Sequence, residues 1–83
     1  MVTLIYPENR QIAERDVIAW ARDRMIDNAV EVENLRRVDA GQAPLDDQNG
    51  ELEGFIRDVD TPTLEDAIER LTDDGVATFR GKS

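Results

Sequence analysis

The sequence predicts an α+β fold that is mostly helical. Three observations carry this. The stretch Asp16–Ala40 repeats apolar residues at helical spacing. Two shorter stretches, about 46–59 and 62–74, do the same and are separated by helix breakers. The two ends, about 2–6 and 76–79, are short and rich in β-branched or aromatic residues. One long central helix (about 16–40), packed by two short ones, is therefore expected, with terminal strands available to pair. The 83 residues are expected to form a single small domain.

Val2, Leu4 and Tyr6 alternate with Thr3 and Ile5, which suits a strand, and Pro7 ends it. Glu8 to Arg15 is a polar connection around Ile12, with room for a turn and a brief second extended segment. In the long helix Asp16 is the expected N-cap. Val17, Ile18, Ala21, Met25, Ala29, Val32 and Leu35 then fall within about a third of the circumference. Gly41 is the expected stop, since glycine alone enters the left-handed region without a Cβ penalty. Such a helix is roughly 37 Å long at about 1.5 Å per residue. Ala19, Ile26 and Val30 make a thinner stripe on its other side. Trp20 and Val38 lie at the edge of the main stripe. Wrapping by the short helices would explain these residues. So would an apolar interface of Ala19, Trp20, Ile26 and Val30.

In the next helix Leu52, Phe55, Ile56 and Val59 recur at i, i+3, i+4 and i+7, from a start at Asp46 or Asn49. Gly50 and Gly54 weaken it by up to about 1 kcal/mol each. Four apart, they would let another backbone come close. Thr61 with Pro62, or Thr63 with Asp66, opens the last helix. Leu64, Ala67, Ile68 and Leu71 form its stripe, and Gly75 stops it. Asp73 and Asp74 end it against the macrodipole, which hints at selection for charge.

Cysteine and histidine are both absent, which removes disulfides, thiolate sites and the usual general base. Nucleophilic triads need such a base, so no enzyme is expected and no cofactor is called for. Two calcium-loop echoes fail at their strict positions. After Asp58 and Asp60, Pro62 replaces a ligand and Thr63 replaces the glycine. Around Asp47–Gly50, Leu45 and Ile56 take the first and last ligand places. No apolar run spans a membrane, and the N-terminus does not read as a secretory signal, so a cytoplasmic location is expected.

The net charge of −9 is uneven. Residues 1–38 hold 7 acidic and 6 basic side chains, whereas residues 39–74 hold 12 and 2. Nine of the ten cations are Arg, a bias that adaptation to high salt or a GC-rich genome would also give. Salt adaptation, however, spreads charge over the whole surface, and here the first half is nearly neutral. A functional acidic face aimed at a basic partner fits better. Its candidates are Asp46, Asp47, Glu51, Glu53, Asp58, Asp60, Glu65, Asp66, Glu69, Asp73 and Asp74.

The segment TLEDAIERLTDDGVATFR resembles the helix-then-strand end of winged-helix domains. That resemblance implies a nucleic-acid-binding regulator. Yet the helix in question sets Glu65, Asp66, Glu69, Asp73 and Asp74 against Arg70, which argues against contact with phosphates. The leading expectation is a non-enzymatic acidic protein-protein interaction module that occupies a partner. An inhibitor of phage type, or a nucleic-acid mimic aimed at a basic nucleic-acid-binding complex, is its sharper form. The alternatives are a homo-oligomeric helical protein and the winged-helix-like regulator.

Overall fold

A computed structural model describes residues 1–46 and 50–80. Their order is β1 (Val2–Tyr6), β2 (Arg10–Ile12), α1 (Glu14–Asp39), α2 (Glu51–Arg57), α3 (Leu64–Asp73) and β3 (Thr78–Phe79). This is the expected α+β, mostly helical class, with one long helix, two short ones and paired terminal strands. The chain divides into two compact units. The terminal unit joins Met1–Arg22 to Thr61–Ser83, and the middle unit is Asp23–Asp60. The helix α1 runs from the first into the second.

In the terminal unit the sheet order is β2-β1-β3, all antiparallel. Val2 pairs with Ile12, and Leu4 pairs with Arg10 on one side and Phe79 on the other. The brief extended segment near Ile12 is thus a true edge strand. Arg80 N–H donates to the Thr3 carbonyl at 2.9 Å, which prolongs the β3 side of the ladder. The core gathers Leu4, Ile12 and Phe79 from the strands, Val17 and Ala21 from α1, and Ala67 and Leu71 from α3; Ala77 closes it. Trp20 is half-buried against this cluster.

Local chemistry explains where the helices begin and end. The Ala13 carbonyl accepts from Asp16 and Val17, so α1 starts at Glu14 and Asp16 is a first-turn acid rather than the N-cap. At its far end Gln42 N–H reaches the Arg37 carbonyl at 2.7 Å, with Gly41 at φ +74. This is a Schellman stop, which the left-handed glycine permits. The helix α3 ends in the same way: Gly75 is at φ +73 and Val76 N–H donates to the Leu71 carbonyl. Ala77 N–H donates there too, so β3 begins only at Thr78. Thr63, not Thr61, caps α3, its hydroxyl accepting from Asp66 N–H at 3.2 Å. The helix α2 opens at Glu51 after left-handed Gly50, later than either expected start. Among the described residues nothing lies within 4 Å of where a side chain would begin at Gly50 or Gly54, so no close backbone approach is seen there.

The main apolar stripe of α1 holds as far as Ala29, with Ile18, Met25 and Ala29 half-buried, and fails beyond it. Val17 and Ala21 are buried in the terminal unit, but in the middle unit Val32 is 58% exposed and Leu35 63%. There the half-buried residues include Ile26, Val30, Glu33 and Arg37, at i, i+4, i+7 and i+11 on one face. The strand that follows α3 pairs with β1.

Candidate functional site

The predicted acidic residues fall into two sets, one in each unit. In the middle unit Asp46, Glu51, Glu53, Asp58 and Asp60 are exposed, and Asp47 lies outside the described residues. Glu51 lies 3.7 Å from Arg37 and Glu53 lies 3.4 Å from Arg57. In the terminal unit Glu65, Asp66, Glu69, Asp73 and Asp74 are all exposed on α3 and its C-cap. They project outward because Ala67 and Leu71 fix the opposite side of α3 in the core. Asp66, Glu69, Arg70, Asp73 and Asp74 line a hollow of about 340 Å³. The Arg70 guanidinium comes within 4.0 Å of Asp74.

The middle unit contains an ionic network that the sequence reading missed. Glu33 accepts from Arg36 at 3.0 and 2.6 Å and from Arg37 at 2.8 Å. The Arg37 side chain also reaches Glu51. Donation by Arg36 and then Arg37 lowers the Glu33 pKa to about 2, and Arg36 is correspondingly raised. The signal was present as Glu33 with cations three and four residues on, the spacing at which helix side chains meet. Beside this network, Leu45 N–H donates to the Asn34 amide oxygen at 2.8 Å and so ties the chain after α1 back to the helix.

The residues of the predicted apolar interface all lie on α1. Ala19 is exposed, Trp20 packs at the edge of the terminal core, and Ile26 is half-buried in the middle unit. Val30 borders an open feature. With Asp27, Glu31, Asn34, Leu35 and Val38 it lines a groove of about 420 Å³ along α1. Val38 is 60% exposed there. The reading missed this groove because it assigned Leu35 to the core stripe.

These surfaces offer carboxylates and aliphatic side chains, which bind cations and apolar groups. Among the described residues no three acidic side chains converge as a metal site, and no helix is long and apolar enough to cross a membrane. The chain matches no protein-family model, no curated protein and no solved structure.

Proposed function

We propose that this chain is a non-enzymatic interaction module that binds and occupies a protein partner with a basic surface. Its sharper form is an inhibitor that presents carboxylates where a nucleic acid presents phosphates. One observation carries the reading: α3 holds Glu65, Asp66, Glu69 and Asp73 outward, on a helix whose other side is fixed in the core. A helix already anchored leaves less backbone to order on meeting a cationic surface, and the field of its carboxylates speeds the encounter. Mimicry of this kind needs no catalytic residue and no cofactor.

The test is a nuclease-treated pull-down from lysate of a plausible host, with bound proteins identified by mass spectrometry. The wild type is compared with a Glu65→Gln/Glu69→Gln/Asp73→Asn variant. The expected result is a basic nucleic-acid-binding protein that is held by the wild type, released by salt and lost in the variant. Equal capture by both forms would sink the reading.

A further inference from the structure

We infer that the groove on the C-terminal half of α1 receives a basic amphipathic helix of the partner; this rests on the proposed function and names how part of the partner is held. Val30, Leu35 and Val38 give the groove its apolar surface, and Asp27 and Glu31 stand among them. Val32, Leu35 and Val38 occupy successive turns and are each more than half exposed. Apolar anchors three residues apart suit a helix laid along the groove. A single exposed leucine means little, whereas Leu35 and Val38 exposed beside Val30 along one groove form a patch.

Charge selects the occupant. The middle unit holds eleven acidic and four basic residues. Three of those four, Arg36, Arg37 and Arg57, are already engaged by Glu33, Glu51 and Glu53. The field over the groove is therefore negative. A second copy of the chain would bring the same acidic surplus against it. A helix with lysine or arginine beside its apolar face places cations over Asp27 and Glu31 while burying Leu35 and Val38.

The probes are two synthetic leucine-lysine peptides of identical composition. One spaces leucine to form an apolar helix face, and the other scatters it. Calorimetric titration of the full chain should show the amphipathic peptide binding at least about tenfold tighter than the scattered one, roughly 1.4 kcal/mol. Leu35→Asp should erase that preference, and Leu35→Ala should reduce it if the aspartate disturbs the helix. Asp27→Asn/Glu31→Gln should weaken the amphipathic peptide. The α3 triple variant should keep the preference. Equal binding of the two peptides, or a preference untouched at Leu35, overturns the groove and leaves the basic-partner reading standing. If neither peptide binds, the groove inference falls, while the basic-partner reading stands or falls on the pull-down. A dimer in light scattering that Leu35→Asp dissolves makes the occupant a second copy and overturns the inference.

Discussion

The two units are stabilised by different physics. Every fully buried residue among those described belongs to the terminal unit, where three strands and parts of two helices enclose a dry apolar cluster. The middle unit has none. Its apolar side chains, such as Ile26, Val30, Leu52, Phe55 and Ile56, are half-buried, and polar ties add to them: Glu33 with Arg36 and Arg37, Arg37 with Glu51, and Asn34 with Leu45. Apolar burial contributes about 25 cal/mol per Å² and is indifferent to pH, whereas exposed ion pairs contribute about 0–1 kcal/mol and weaken with salt. The acid surplus follows the same division, with the nearly balanced unit having the core. One helix thus serves two environments: its residues Val17 and Ala21 are sealed, while Leu35 and Val38 face solvent.

A matched pair of truncations tests that contrast most severely. Leu71 is fully buried, and Leu71→Ala should cost about 2–5 kcal/mol, the transfer loss plus a cavity. For a domain of this size that is much of the total stability. Leu35→Ala should change stability by no more than about 0.5 kcal/mol. Urea unfolding followed by circular dichroism measures both. Similar losses at the two sites would mean that Leu35 is covered in solution.

Elements were legible in the sequence where their signal is local. The stops at Gly41 and Gly75 follow from backbone rules that act over a few residues, and the same rules left Thr61 and Thr63 both open as caps. The side of α1 that would be covered beyond Ala29 did not follow, because periodicity gives the angle between residues but not the neighbour they face. From Asp23 onward the half-buried face includes Glu33 and Arg37, which read as surface until their pairing makes burial tolerable. The pairing of the terminal strands was foreseen as an option, but its register was not, since nothing local joins Leu4 to Phe79. The acidic residues themselves were plain, but their division between two units depends on the fold.

The ionic network makes the middle unit sensitive to acid. The Glu33 pKa is depressed in the folded state to about 2, below its ordinary value of 4.5. The stabilisation it supplies is therefore fully present above about pH 4.5 and is lost as pH falls toward 2. Amide signals of Val30 to Leu45 should lose protection over that window, and Glu33→Gln should remove the pH dependence there. Signals of β1 should not follow Glu33→Gln. A pH profile in the middle unit that is the same with and without Glu33 would show that the network does not hold it.

Smaller effects at the two ends of α3 separate stability from charge. Thr63→Ala removes the hydroxyl that accepts from Asp66 N–H and should cost about 1 kcal/mol. Asp73→Asn should do the opposite. Asp73 sits in the last turn, where the dipole is negative, and four residues after Glu69. Removing its charge should raise stability by roughly 0.3 kcal/mol or slightly more, a gain that shrinks at about 1 M salt as screening shortens to a few ångströms. The thermal midpoint, taken at low and high salt, reads this directly. If Asp73→Asn stabilises the chain yet releases the basic partner, the acid at that helix end costs stability and serves binding. If the variant is more stable and captures the partner equally well, Asp73 adds nothing to the acidic face, which then narrows to Glu65, Asp66 and Glu69.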